Sequence, residues 1–301
     1  FKGVIGQQSV KSKLGFFLYL YRETRIVPPI LFTAPKGQGK SLIARELARR
    51  LTQRGSNLPK KFVSVNAASF QNSVDNLFDT IILPYVIDKE STVFIDEASE
   101  LPQKITMSLL TILEPNKDNR TQYNHRGTIY DFDLARTSWI FATSEPQKMF
   151  SPLIQRFERI DLEESSIHDL KEIITLSSKI NIDDSVLTDI ASVCRKSPRL
   201  AVGWANKLKI TGKKHIGKAQ WEVIKQQLSV AKLGLTHSEL RVLRILSEGP
   251  NTLTSLAAKT DYGRQALQRE IEPGRMKHGL IEITLRGREL TDKGRKYLQE
   301  L

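Results

Sequence analysis

Two hydrophobic periods alternate along the first half of the chain. Ile30–Thr33, Phe62–Val65, Thr92–Ile95 and Trp139–Thr143 are short and apolar on both faces, as strands buried in a parallel sheet should be. Between them, apolar residues recur at helical spacing, as Ile43, Leu47 and Leu51 do across Ser41–Leu51. This alternation predicts an α/β layer structure over residues 1–160. Residues 161–232 keep only the helical period, most clearly over Ser166–Ser177 and Asp184–Cys194. Residues 233–301 change pattern again. Thr236 and Glu239 predict a capping box ahead of Leu240, Leu243 and Leu246. Two further short helices are expected, then Ile281–Leu285, the basic turn Arg286-Gly287-Arg288, and Glu289-Leu290. Three helices followed by a basic hairpin is the layout of a winged helix-turn-helix. The pattern therefore predicts three domains, and no internal repeat or low-complexity tract interrupts it.

Composition removes several classes of protein. No apolar run reaches the ~18 residues of a membrane-spanning helix. Leu14 to Tyr21 is too short and runs into Arg22, Glu23 and Arg25, which does not read as a secretory signal. A single cysteine, Cys194, excludes an intramolecular disulfide framework and a thiolate zinc site, and fits a reducing cytoplasm. The histidines form no ligand cluster, which leaves Mg²⁺ as the expected metal. The chain opens on Phe1 rather than Met and is read as lacking its native N-terminus. Net charge is +13, a surplus that attracts polyanions, nucleic acid first among them. Between Arg195 and Lys232, Glu222 is the one acid against ten Lys and Arg. Such a block suits salt-sensitive phosphate contact, and it also suits a solvated helical face.

The sharpest chemical signal is Ala34-Pro35-Lys36-Gly37-Gln38-Gly39-Lys40-Ser41, which follows a predicted strand and opens a predicted helix. Glycines at 37 and 39 let backbone N–H groups turn inward around phosphate oxygens, and the helix N-terminus adds partial positive charge. Lys40 then reaches the β- and γ-phosphates and the Ser41 hydroxyl ligates Mg²⁺. A chance Gly-rich turn would lack the strand before and the helix after. Val93-Phe94-Ile95-Asp96-Glu97 is an apolar strand ending in two acids. Asp96 is expected in the Mg²⁺ shell and Glu97 to polarise an attacking water. Acids there also cap helices, but beside a phosphate loop the hydrolytic reading is the stronger one. The strand Trp139–Thr143 ends in Thr143, placed to orient the water or sense the γ-phosphate. Further on, Arg156 in Ser151-Pro152-Leu153-Ile154-Gln155-Arg156-Phe157 is placed to act on a neighbouring subunit's nucleotide. Arg199, in Ser197-Pro198-Arg199, is placed to touch the γ-phosphate in its own subunit.

Together these segments resemble the AAA+ ATPases. Ile5-Gly6-Gln7 is similar to their entry segment beside adenine, so the nucleotide set is Ile5, Pro35, Lys36, Gly37, Gln38, Gly39, Lys40, Ser41 and Arg199. Within that family, Ser151–Phe157, Ser197-Pro198-Arg199, Glu272-Pro273, Gly279-Leu280-Ile281 and Arg286-Gly287-Arg288 resemble the RuvB family of Holliday-junction branch-migration motors. The resemblance runs through the whole chain in the right order. It implies an AAA+ P-loop domain, a helical lid and a C-terminal winged helix, assembled as a ring, expected to be a hexamer. It implies ATP and Mg²⁺ as cofactors, duplex DNA and branched junctions as substrate, a RuvA-type partner, and Arg264, Arg286 and Arg288 on DNA. The chain departs from that family at Ala98-Ser99 and at Ile154. It departs again in Asn116–Asp133, where a partner-docking hairpin is replaced by a polar, basic segment with little apolar surface. An ATP-dependent loader that places another protein on DNA would carry the same motifs. A regulator whose ATPase part only oligomerises would not need Lys40, Ser41, Asp96, Glu97 and Arg156 intact.

Overall fold

The computed structural model describes the chain except Lys2, 115–118, Asp261, 269–271, 273–275, Lys277, Leu301 and the side chain of Lys232. Two compact units are present, one of Phe1–Ser177 with Lys196–Ala205, the other of Ser178–Arg195 with Asn206–Leu301. Boundaries at 160 and 232 do not coincide with this division. Residues 161–177 stay with the first unit because Leu170 and Ile174 are buried there and Ile173 helps to wall a cavity.

The first unit holds β1 (Ile30–Thr33), β2 (Lys61–Asn66), β3 (Ser91–Asp96), β4 (Arg120–His125), β5 (Thr128–Asp133), β6 (Thr137–Thr143) and β7 (Glu158–Asp161). Five of them form a sheet in the order β2-β3-β6-β1-β7, every pair parallel. Strand alternation sends each central strand's side chains into two separate cores. Leu31, Val93, Ile95, Trp139 and Phe141 face one core, while Ile30, Phe32, Phe94, Ile140 and Ala142 face the other. This double burial is why those runs are apolar throughout. The helices of this unit are α1 (Gln8–Thr24), α2 (Lys40–Ala48), α3 (Val74–Leu77), α4 (Gln103–Ile112), α5 (Ser151–Ile154) and α6 (Ile167–Ser178). A π-helical stretch, Phe78–Val86, follows α3.

Strands β4 and β5 form an antiparallel hairpin with Tyr123 directly across from Tyr130. Residues 116–118 of the segment read as polar lie outside the described residues. The remainder has more apolar character than its sequence suggests. Phe132 is buried, Tyr123 and Tyr130 pack on Phe78, and the His125 ring stacks on Phe78 at 3.9 Å. Ile129 is exposed. Alternation turns these aromatic residues inward on one face of the hairpin, so they add little to its exposed apolar surface.

In the second unit, β8 (Asn181–Ile182) pairs with β9 (His215–Ile216) beside α7 (Asp184–Val193). Helix α8 (Pro198–Ile210) follows, its residues through Ala205 belonging to the first unit, and then α9 (Lys218–Gln227). The C-terminal part contains α10 (His237–Ser247), α11 (Leu253–Lys259), α12 (Arg264–Ala266), β10 (Ile281–Thr284), β11 (Gly287–Leu290) and α13 (Asp292–Gln299). The capping box forms as expected: the Glu239 carboxylate accepts the Thr236 N–H at 2.7 Å, and Thr236 Oγ1 accepts the Glu239 N–H at 3.3 Å. Strands β10 and β11 are the wing, packed on a core of Leu243, Leu246, Leu256, Leu267, Leu280 and Leu290. No helix among the described residues is long and apolar enough to cross a membrane.

Candidate active site

The loop between β1 and α2 sits at the C-terminal edge of the sheet, where parallel strands deliver their following loops to one rim. Gly37 has φ +87° and Gly39, the residue before α2, has φ +91°. At Gly37 the conformation is matched by lack of room. A Cβ there would lie 2.7 Å from Ser197 Oγ and 3.2 Å from Arg199 Cβ. The Arg199 N–H donates to the Gly37 carbonyl at 3.2 Å, which brings the start of α8 against the loop.

Around this loop lies a cavity of about 270 Å³ walled by Lys36, Gly37, Gly39, Lys40, Ser41, Asp96, Glu97 and Arg199, with Leu42, Pro198 and Val202. Six expected nucleotide residues, Asp96 at the end of β3 and Glu97 just after it thus meet in one place. The Ser41 hydroxyl donates to Asp96 Oδ2 at 2.8 Å, and Asp96 Oδ1 accepts the Glu97 N–H at 3.0 Å. A hydroxyl and a carboxylate side by side are hard oxygen donors of the kind Mg²⁺ takes. Lys40 Nζ donates to the Ala34 carbonyl at 2.7 Å and the Pro35 carbonyl at 3.3 Å, so Pro35 contributes its backbone oxygen. Burial pushes the Lys40 pKa down, while Glu97 and Asp96 oppose that shift. Phosphate oxygens beside Lys40 would act in the same sense as these acids and hold the ammonium charged.

A second cavity, of about 320 Å³, shares Gly39, Leu42, Pro198 and Val202 with the first. It continues between Val4, Ile5, Ile43, Ile173 and Leu176, an apolar slot suited to a planar base. Ile5 is held there because the Gln7 side chain bonds both ways to the Glu163 backbone, at 2.6 and 3.1 Å. Gln38 lines this slot, and its Nε2 donates to the Lys196 carbonyl at 2.8 Å. Its buried Oε1 has no partner among the described residues, an acceptor left for a ligand's amino group. A glycine cradle, an oxygen pair, a buried ammonium and an apolar slot together fit a magnesium nucleotide. Val4, Ile173 and Val202 were not anticipated, since each reads as an ordinary apolar position.

Three expected residues are placed differently. Thr143 is fully buried, outside the cavity wall, and its hydroxyl accepts the Glu145 N–H at 3.0 Å. Its contact with the loop is through the backbone, where its carbonyl accepts the Ala34 N–H at 3.3 Å. Arg156 lies outside both cavities and pairs with Glu114, a partner the sequence does not announce. Arg288, expected on DNA, is turned into the winged helix instead. Its guanidinium grips Glu272 at 2.7 and 3.3 Å, and both side chains are largely buried. An unpaired carboxylate at Glu272 would be costly to bury, and Arg288 answers it. Of the motif Glu272-Pro273, Pro273 lies outside the described residues. Arg264 and Arg286 are exposed, as a surface for phosphates requires. The basic block is partly spent, with Arg195 on Glu239, Lys196 on Glu164 and Lys225 on Asp189 and Glu222. Lys209, Lys213, Lys214 and Lys218 are exposed.

Comparison with known proteins agrees with this geometry. Residues 30–164 match the ATPase family associated with various cellular activities (AAA). Residues 232–299 match the RuvB C-terminal winged helix domain. The fold is that of an AAA-type P-loop domain followed along the chain by a winged-helix domain. Within that class the chain resembles RuvB along its whole length. It is 27% identical to the Holliday junction branch migration complex subunit RuvB of Mycoplasmopsis pulmonis (strain UAB CTIP), covering 100% of this chain and 96% of that one. It is 25% identical to the subunit of the same name from Lactobacillus helveticus (strain DPC 4571), over 98% and 85% of the two chains. The fold matches the Thermotoga maritima RuvB Holliday junction branch migration motor with a TM-score of 0.77, 23% identity, and coverage of 98% and 95%.

Proposed function

We propose that this ATPase is a Mg²⁺-dependent motor that moves duplex DNA, with RuvB-like branch migration of Holliday junctions in recombination and repair as its work. The observation that carries the reading is the meeting of Ser41, Asp96, Glu97, Lys40 and Arg199 in one cavity, in a chain that ends in a winged helix.

The placement of each residue supports a role for it. Gly37 and Gly39 leave the loop's N–H groups free to face phosphate oxygens, and Lys40 supplies the ammonium beside them. Ser41 and Asp96 would hold the ion, which when bound neutralises phosphate charge. Glu97, held by a backbone that faces the cavity, accepts a hydrogen bond from the attacking water and orients it. Arg199 meets the terminal phosphate from α8. Thr143 supports the loop from β6 through its backbone. Arg156 exchanges Glu114 for the terminal phosphate of an adjacent subunit, which makes the working unit a ring, read as a hexamer. Arg264 and Arg286 meet DNA phosphates. A RuvA-type partner would dock on the β4–β5 hairpin, where the exposed Ile129 supplies an apolar anchor. The lone Cys194, buried with its pKa pushed up to about 12, fits work in the cytoplasm.

Steady-state ATPase rates without DNA, with linear duplex and with a synthetic four-way junction test this reading. DNA should raise the rate, and Glu97→Gln should keep nucleotide binding while losing hydrolysis by at least about 100-fold. Lys40→Ala mixed with Arg156→Ala should recover part of the activity each lacks alone. A rate indifferent to DNA would refute the motor and favour a loader with a protein client. Wild-type turnover by Glu97→Gln would refute the assignment of the hydrolytic site.

A further inference from the structure

The wing carries charge and apolar surface in an arrangement that fixes how it can approach DNA. Glu282 on β10 lies directly across from Glu289 on β11, so one face of the wing presents two like charges. Phosphates would be repelled from that face. On the other face, Ile281 is buried and Arg288 is committed to Glu272. Ile283, across from Arg288, is 51% exposed. At the tip, Leu285 is entirely exposed (109%), the most exposed large apolar residue described. Arg286 follows it in the two-residue turn, exposed and without an ion-pair partner among the described residues. The turn is held from within. The Arg286 N–H donates to Thr284 Oγ1 at 3.2 Å, and Thr284 Oγ1 donates to the Gly287 carbonyl at 3.3 Å.

We propose that the wing meets DNA tip-first, with Leu285 entering the minor groove as an apolar wedge against a base step while Arg286 takes an adjacent phosphate. The proposal rests on the reading of the winged helix as DNA-binding and names the contact that reading lacked. One bare leucine beside a half-exposed isoleucine is too small a patch to hold a protein partner. It is the size and type of side chain that wedges between base steps, and an arginine beside it matches the groove's negative potential. The internally bonded turn presents the leucine without further ordering, which lowers the cost of insertion.

The test uses the full chain and a labelled duplex with 2-aminopurine at successive steps, titrated over a range of salt. Leu285→Ser should weaken binding about tenfold at every salt concentration, because an apolar contact releases no counterions. It should also remove the rise in 2-aminopurine fluorescence that accompanies wild-type binding. Arg286→Gln should instead flatten the slope of log K against log salt by about 0.9. Both positions are exposed in a turn, so neither substitution threatens the fold. If Arg286→Gln lowers affinity and slope while Leu285→Ser matches wild type, the wedge is overturned and the wing's contact is electrostatic alone. If neither variant changes binding, the wing does not touch DNA, and both the wedge and the reading beneath it fail. A change in subunit association on Leu285→Ser, with duplex binding unaltered, would assign the tip to a second copy of the chain and also overturn the wedge.

Discussion

Replacing Gly37 by alanine tests whether the phosphate loop is shaped by its contact with the start of α8. Two costs can be worked out. At φ +87° the residue is left-handed, where a Cβ costs about 1–2 kcal/mol. The new carbon would also lie 2.7 Å from Ser197 Oγ and 3.2 Å from Arg199 Cβ. The serine hydroxyl can swing away by one rotamer. Arg199 Cβ is fixed to the helix backbone, so the helix start must shift by a few tenths of an ångström. The 3.2 Å bond from the Arg199 N–H to the Gly37 carbonyl weakens with that shift, and such a bond is worth about 1 kcal/mol. The sum is about 2–3 kcal/mol, concentrated where phosphates would sit. That cost should appear as a fall of about thirtyfold or more in binding of a fluorescent ATP analogue if the loop relaxes out of its cradle, or as an equal loss of stability in urea if it keeps its shape. Gly37→Ala combined with Ser197→Gly should recover only a few tenths of a kcal/mol, since the hydroxyl can already turn away while the Arg199 contact and the backbone strain remain. Wild-type nucleotide affinity together with wild-type stability in Gly37→Ala would refute the claim that this close approach forms the cradle.

Two further substitutions probe the rest of the molecule. Arg288→Ala should destabilise the winged helix by about 3–5 kcal/mol, because it strands a Glu272 side chain that is only 6% exposed. Arg288→Met with Glu272→Gln should restore most of that stability, and a loss of DNA affinity without loss of stability in Arg288→Ala would contradict the assignment. Lys60 is buried, donates to the Ala135 carbonyl at 2.9 Å, and has its pKa lowered by burial to about 8. Between that value and the ordinary lysine pKa the unfolded chain binds more protons than the folded one, so stability rises with pH through this window. Below pH 8 both states are protonated and the full penalty, about 3 kcal/mol, is present. Urea unfolding from pH 7.5 to pH 10 should therefore show wild type gaining on Lys60→Met by most of that amount, and parallel pH profiles would rule the account out.

The sequence revealed most where burial is symmetrical. Strands β1, β3 and β6 have apolar side chains on both faces and stood out at once. Strand β7 did not, because it is the sheet's edge: Glu158, Arg159 and Asp161 are exposed and Ile160 alone is buried. The phosphate end of the site was legible because its chemistry needs glycine, lysine, serine and paired acids at fixed spacing along two strand ends. The base end was not. Val4, Ile173 and Val202 come from three distant segments, and nothing local distinguishes them from core residues. Charge was the least legible property. Arg288 and Arg286 are two residues apart on a basic turn, yet one is spent on a buried carboxylate and the other is free to meet solvent. Their fates depend on Glu272, which only the fold brings within reach.

Glu97 has φ 54° and ψ 45°, a left-handed backbone conformation at a residue with a long side chain. Glycine would relieve about 1 kcal/mol there, and asparagine part of it. Position 97 is thus one where the preference of the backbone and the use of the side chain pull in opposite directions. In a library of variants selected only for resistance to unfolding, glycine should accumulate at 97 generation by generation. Under selection for turnover the glutamate should persist despite the strain. The residue recovered at 97 would then report which of the two pressures a population had lived under.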